Sequence, residues 1–350
     1  MSTADAVAAV LWLGVTFYAV FAGADFGAGF WDLASGGGER GARVRAAVAH
    51  SIGPVWEANH VWLIFVLVVL WTAFSAAFGA IMSTLFVPLS LVALGIVLRG
   101  AGFAFKGTAA RGRNRHLADR LFAFASLLTP FFMGTVIGAV ASGRVPPGNA
   151  EGDPLTSWLN PVSLVTGALF LATGAYLAAV FLAHDARRSA PELVGYFRAR
   201  ALVAGAASGA VAVVAMFLYR DDAPYVYEGL TGDALPLVIA SLLCGIAALA
   251  LLWRGARGAR VPAVGAVVTM VWAWGVAQHP YLLPQTLTIE EAAAVSTTLT
   301  WVLVVFAVAV VLVLPSLFLL FTLAQRDLVE ERPEALLPEG GGGGPRRVGG

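Results

Sequence analysis

The sequence predicts an all-α integral membrane protein with about nine transmembrane helices, and three observations predict it. Of 350 residues, 59% are hydrophobic and only 12% are charged, where soluble domains carry about 25% charge. Leu, Val, Ala and Phe recur in blocks of the ~20 residues that cross a ~30 Å hydrocarbon core. Lys and Arg fall in alternate connecting segments, which is the pattern left when positive loops stay cytoplasmic.

A window of about 19 residues places the spans near 6–31, 53–74, 79–105, 120–142, 157–183, 199–219, 235–253, 261–278 and 299–323. Together they make one polytopic domain over 1–326. The eighth is the shortest, and its Trp272 and Trp274 with nearby Tyr281 also suit an interfacial segment. Beyond it, a tail over 327–350 runs through five glycines, Gly340 to Gly344, to Arg346 and Arg347, a composition expected to be disordered.

The basic residues test the span count. Arg40, Arg43 and Arg45 follow the first span, Lys106 to Arg120 the third, Arg187 to Arg200 the fifth, Arg254 to Arg260 the seventh, and the tail holds the rest. That puts nineteen Lys and Arg on one side against Arg144 and Arg220 on the other, with Arg99 inside a span. The N-terminus is therefore expected outside and the C-terminus in the cytoplasm. The first apolar run lacks a basic segment before it and is expected to be a retained span.

Other classes are disfavoured by the same inventory. A net charge of +1 gives no electrostatic footprint for nucleic acid. A single cysteine, Cys244, leaves no disulfide framework, no Cys-based metal site and no attached c-type haem. The glycines of the first span, Gly23, Gly27 and Gly29, lie inside an apolar run with no preceding strand, so they suit close helix approach and not a phosphate loop.

Chemistry concentrates where polar groups interrupt the spans. The second span opens with Gly53-Pro54-Val55-Trp56-Glu57-Ala58-Asn59-His60-Val61-Trp62, putting a Glu, an Asn and a His inside an apolar run. Such residues cost roughly 2.5–3.5 kcal/mol each on insertion scales and usually mark an ion, proton or ligand path. On a helix, Glu57 and His60 share a face with Trp56 and Asn59. With the expected topology, Asp25, Glu57, His60 and Arg99 all lie in the cytoplasmic third of three consecutive spans. Asp25 with Arg99 reads either as an ion pair holding helices together or as part of a functional cluster, since Arg is a permanent partner for a carboxylate. Glu57 and His60 can both titrate and so could relay protons. His60 as a haem ligand is weakly supported, because no second axial candidate lies at its depth. His50, His116, His184 and His279 fall in or beside loops.

Three runs carry a resemblance. Asp25-Phe26-Gly27-Ala28-Gly29, then Ser51 through Leu63, then Leu98-Arg99-Gly100-Ala101-Gly102-Phe103-Ala104-Phe105, resemble subunit II of the cytochrome bd-type quinol oxidases. Pro280-Tyr281-Leu282-Leu283-Pro284 before Thr298-Leu299-Thr300-Trp301 looks like that family's last external loop and last helix. The likeness covers nearly the whole chain in order and span count. It implies two four-helix bundles plus one extra helix, in a bacterial plasma membrane. It also implies a complex that oxidises quinol and reduces dioxygen to water with protons drawn from the cytoplasm. Haems b and d would belong to a subunit I partner, leaving this chain haem-free, with no catalytic residue of its own and no metal. A small single-span subunit, lipid and a structural quinone are further partners the resemblance allows. It suggests Asp25, Glu57 and His60 as a proton-uptake path, with Trp56, Asn59, Trp62 and Arg99 supporting it or shaping an interface. This sequence departs from the family pattern in having Glu57-Ala58 where Asp-Gly is more usual, and His60 where Gln or Glu is common. A rival reading is a proton-coupled transporter or channel using Asp25, Glu57 and Arg99, and a third is a purely structural membrane partner.

Overall fold

The computed structural model describes residues 2–52, 56–108 and 113–325, excepting the side chains at 52, 56–59, 103–108, 113–120, 314, 317, 318 and 320–325. α1 (Thr3–Leu33) begins at a capping box. Ser2 Oγ accepts from the Asp5 amide and the Asp5 carboxylate accepts from the Ser2 amide, so two otherwise orphan donors are satisfied. A short turn leads to α2 (Gly38–Ile52). Val44 and Val48, one helical turn apart, are its buried side, while Arg40 and Arg43 are exposed and Arg45 is half-exposed.

α3 (Trp56–Ala73) and α4 (Ser75–Thr84) are separated by Phe74, whose φ of −137° and ψ of 54° lie outside the helical region. The chain bends by 118° between them. A second break at Leu85 precedes α5 (Phe86–Thr108), where Pro88 is tolerated because it sits in the first turn. Residues 79–84 of the expected third span thus lie in α4, and the helix that carries the rest of it, α5, starts at Phe86. α6 (Arg113–Ala141) returns, and an extended connector leads to α7 (Pro161–Ser189). In that connector Asp153 accepts from the amides of Leu155 and Thr156, which holds its carboxyl below the usual range. Asn160 caps α7 by accepting from the Ser163 amide, and Pro161 follows at the first helical position.

After one 3₁₀ turn come α8 (Val194–Asp222), a short α9 (Pro224–Thr231), α10 (Leu235–Trp253) and α11 (Arg260–Gln278). A two-stranded antiparallel hairpin, β1 (Tyr281–Leu283) with β2 (Leu287–Thr288), precedes α12 (Ile289–Ala292) and α13 (Ser296–Gln325). Up to Leu303 the chain is one compact unit, and from Val304 the remainder of α13 belongs to a second, apolar and largely exposed where described. Among the described residues seven helices are long and apolar enough to cross a membrane. They are α1, α6, α7, α8, α10, α11 and α13, and α3 with α4 makes an eighth if that bent pair counts as one span. α5 adds a shorter apolar stretch, Phe86–Gly102, so nine is an approximate count. α11, expected to be the weakest, passes as a span. The tail over 327–350 lies outside the described residues.

The helices pack in two groups. α1 lies against α3, α6 and α7, and α5 packs on α6. α7, α8, α10 and α11 close a four-helix ring, α7 on α8, α8 on α10, α10 on α11 and α11 back on α7. Small residues set how near α1 comes to α7, because in a bilayer the driving force is close packing and not exclusion of water. A Cβ on Gly27 would overlap the Gly174 carbonyl of α7, whereas one on Gly23 would meet nothing nearer than 3.8 Å. The contrast is testable. Gly27→Ala must push two backbones apart and should cost about 1–3 kcal/mol, read as a fall in thermal stability of the purified protein, while Gly23→Ala should be neutral or slightly stabilising. Equal effects of the two substitutions would show that the α1–α7 contact does not set the fold.

Candidate functional site

The cluster is built from one charged pair outward. Asp25, on α1, and Arg99, on α5, form an ion pair at 2.6 Å, with side chains only 2% and 1% exposed. Arg99 Nη2 also donates to the backbone oxygen of Asp25 at 3.0 Å. Its Nη1 donates to Ser126 Oγ on α6, and the Ser126 hydroxyl donates onward to the Phe122 carbonyl at 2.7 Å. The guanidinium lies 4.8 Å from the Phe26 ring and 4.5 Å from the Phe122 ring, contacts that favour a cation stripped of water. Three helices are thus tied through one side chain. Gly29 makes room for it, since a Cβ there would overlap Ser126 and come within 3.1 Å of Arg99 Nη1.

The pair is not fully satisfied. Asp25 Oδ2 and Arg99 Nε are buried without a hydrogen-bond partner among the described residues, and so is the Tyr18 hydroxyl. Tyr18 lies seven residues before Asp25 on the same face of α1 and within electrostatic reach of both charges. Buried polar atoms left bare cost about 1–3 kcal/mol each, so such a cluster calls for a reason.

The α3 residues approach from a second side. His60 meets the Phe26 ring edge-on, centroids 6.3 Å apart, so one phenyl group touches both the imidazole and the guanidinium. Trp62 stacks on Phe17 at 4.4 Å and packs with Leu63 and Met133 around Tyr18, Ala22 and Phe26. Trp56, Glu57 and Asn59 belong to α3, but their side chains lie outside the described residues. The structure therefore brings Asp25, Arg99, His60 and Trp62 to one neighbourhood and leaves the Glu57 carboxylate unplaced. Sequence reasoning missed Tyr18, Ser126 and Phe122. The available signal was a hydroxyl inside an apolar run, seven residues from Asp25 in the case of Tyr18.

Among the described residues, two further ionic contacts lie away from this cluster. Arg260 pairs with Asp185 at 2.5 Å, and His279 approaches Asp5 at 3.5 Å at the start of α1. Among the described residues no group of three or more His, Cys, Asp or Glu could hold a metal ion.

Comparison with known proteins agrees with this architecture. A solved structure described as bd oxidase from Geobacillus thermodenitrificans superposes with a TM-score of 0.71 at 24% identity, over 92% of this chain and 98% of that one, a likeness of fold. Among curated proteins, the "Putative cytochrome bd menaquinol oxidase subunit II" of Bacillus subtilis (strain 168) is 25% identical over 333 residues, 91% of this chain and 94% of that protein. The "Cytochrome bd ubiquinol oxidase subunit 2" of the same organism is 31% identical over 135 residues, 39% of this chain and 38% of its own length. The "Cytochrome bd-I ubiquinol oxidase subunit 2" of Escherichia coli (strain K12) is 29% identical over 126 residues, 36% of this chain and 32% of its own. The family model described as cytochrome bd terminal oxidase subunit II matches residues 3–324, so this membrane chain belongs to that family, whose members are subunits of an oxidoreductase complex.

Proposed function

We propose that the chain is the haem-free half of a quinol-oxidising, dioxygen-reducing complex in a bacterial plasma membrane, and that its own contribution is a scaffold and a proton-uptake path. In such a complex the haems b and d and the quinol site reside in the subunit I partner. Reduction of dioxygen to water consumes protons as it consumes electrons, so the reacting centre needs a polar route from water through the apolar helices. The observation that carries the reading is the buried, incompletely bonded cluster of Asp25, Arg99 and Tyr18, with His60 one phenyl ring away. Glue alone would be better served by saturating every donor and acceptor.

Roles divide by chemistry. Arg99 keeps its proton and sets the local charge. Asp25 presents a free carboxylate oxygen towards which a proton or a water can hydrogen-bond. Glu57 and His60, on α3, are the groups that can gain and lose a proton on each cycle. Trp56, Asn59 and Trp62 orient that helix, and Trp62 does so by its stack on Phe17. Haem-freeness is supported by the placement of the histidines: His60 packs against a phenyl ring, while His184 is exposed on α7 and His279 is exposed at the end of α11. A proton-coupled transporter is less favoured, because the chain belongs to an oxidase-subunit family along nearly its whole length.

Two experiments on the assembled complex test the reading. Glu57→Gln should leave assembly and haem spectra intact while quinol-dependent oxygen uptake falls by about tenfold or more, the scale of a lost general acid–base group; normal turnover would remove Glu57 from the path. For the pair, Arg99→Gln alone strands a buried carboxylate and should cost about 3–5 kcal/mol, seen as loss of assembled complex. Asp25→Asn combined with Arg99→Gln restores neutrality and should rescue assembly. If turnover returns with assembly, the pair is only structural; if assembly returns without turnover, Asp25 serves the path.

A further inference from the structure

A second cationic site lies in the four-helix ring, well away from the Asp25 cluster in sequence and in contacts. The α7–α8 turn meets the α10–α11 turn, and the two enclose a cleft. His184 and Arg187 line it from α7, Arg198 from α8, and Arg257 and Arg260 from the second turn, over a floor that includes Val180, Ala183 and Leu252. Four guanidinium groups therefore face one small space.

Their commitments differ. Arg187 Nη2 donates to the carbonyls of Gly255 and Ala256, each at 3.0 Å, and so holds the α10–α11 turn in shape. Arg260 donates to Asp185 at 2.5 Å and to the Phe181 carbonyl at 3.1 Å, while the second oxygen of Asp185 accepts from the Ser51 hydroxyl at 2.6 Å. Asp185, the carboxylate next to the lining residue His184, is thus already engaged. Arg198 and Arg257 make no ion pair or hydrogen bond among the described residues, although both line the cleft. Arg198 is held there by the turn: Gly255 has φ +67°, and a Cβ at that position would stand 2.7 Å from Arg198 Nη1. Like charges gathered without a counter-charge repel, and an oxyanion able to accept from several guanidinium groups at once relieves that repulsion.

The surroundings say what else the ligand carries. α10 ends beside the cleft: Leu252 lines it, the next residue, Trp253, is 75% exposed, and the same helix exposes Leu242, Leu243 and Ile246 towards its middle. Ile246 and Trp253 are seven apart and share a face. An aromatic residue at a span end, an apolar track along the span and guanidinium groups above it match an amphiphile lying in a bilayer leaflet.

We infer that the cleft between the α7–α8 and α10–α11 turns binds the phosphate of an anionic phospholipid through Arg198 and Arg257, with the acyl chains laid along α10. The inference needs only that α7, α8, α10 and α11 span the membrane; it is independent of the proton path. Phosphate chemistry is shared by a lipid head and free phosphate, and the test separates them. The full chain, purified in its complex and stripped of lipid in detergent, is titrated with phosphatidylglycerol, phosphatidylcholine and inorganic phosphate, and bound lipid is counted by native mass spectrometry. Phosphatidylglycerol should be retained in preference to phosphatidylcholine, and inorganic phosphate should fail to displace it. Arg198→Gln with Arg257→Gln should weaken retention by about tenfold, and Arg220→Gln, at the far end of α8, should not. Equal retention of the two lipids by the unaltered protein, or unchanged retention by the double variant, overturns the site. Displacement by inorganic phosphate overturns its assignment to a lipid.

Discussion

The structure depends on an ion pair buried almost completely between helices, its side chains 1% and 2% exposed. Taking a carboxylate and a guanidinium out of solvent costs several kcal/mol each even after relaxation. Asp25 and Arg99 recover that cost by direct contact and by the hydrogen bonds to Ser126 and to the Asp25 carbonyl. The recovery works only if α1, α5 and α6 stand at one depth and one separation. Gly29 permits that separation where α1 faces Ser126, and Gly27 permits it where the other side of α1 faces Gly174. The pair specifies which helices meet, and the glycines let them meet closely enough for the pair to form.

α1 is the element through which this constraint spreads. It is apolar around most of its circumference, as expected of a helix buried on several sides. Its polar atoms reach other helices at several points along its length. Near the start, the Trp12 indole donates to the Val271 carbonyl of α11, and near the end the Trp31 indole donates to the Ala175 carbonyl of α7. Asp25 lies between those two anchors. Indole donors in an apolar interior must find a carbonyl, so these bonds fix the axial register of α1 against the four-helix ring. The same register sets where Asp25 sits opposite Arg99.

Much of this was legible in the residues, and what was not has identifiable causes. The spans follow from hydropathy because lipid leaves helices few alternatives. The meeting of Asp25 with Arg99 followed from depth, once the arginine alternation had oriented the spans. The boundary at Phe74 was legible, since the second expected span ends at 74, but the short α4 was not, because its apolar residues read as a turn and the start of the next span. α2 carried a readable signal, Val44 and Val48 four apart, but an Arg-rich segment between spans reads first as a loop. Ser126 and Tyr18 were missed because a lone hydroxyl in a helix ordinarily bonds to its own backbone, as Thr129 and Thr269 do here. Only the arrangement in space shows that Ser126 does this while also accepting from Arg99.

The distribution of unsatisfied atoms bears on what the cluster is for. A pair evolved only to join helices gains from every additional bond, and Ser126 shows that α6 can supply one. Yet Asp25 Oδ2 and the Tyr18 hydroxyl have no hydrogen-bond partner among the described residues, and α1 packs Tyr18 and Phe26 against the α3 segment that holds His60. A row of open donors and acceptors along one helix face is costly to a scaffold and necessary to a relay, because a transferred proton needs an empty lone pair to arrive at. Arg99 in this view keeps the row from collapsing, since its charge is compensated by Asp25 while its rings and serine hold it in place. The residues that would cycle then lie on α3 and not in the ion pair, so a neutral pair could preserve the fold and still change proton flow.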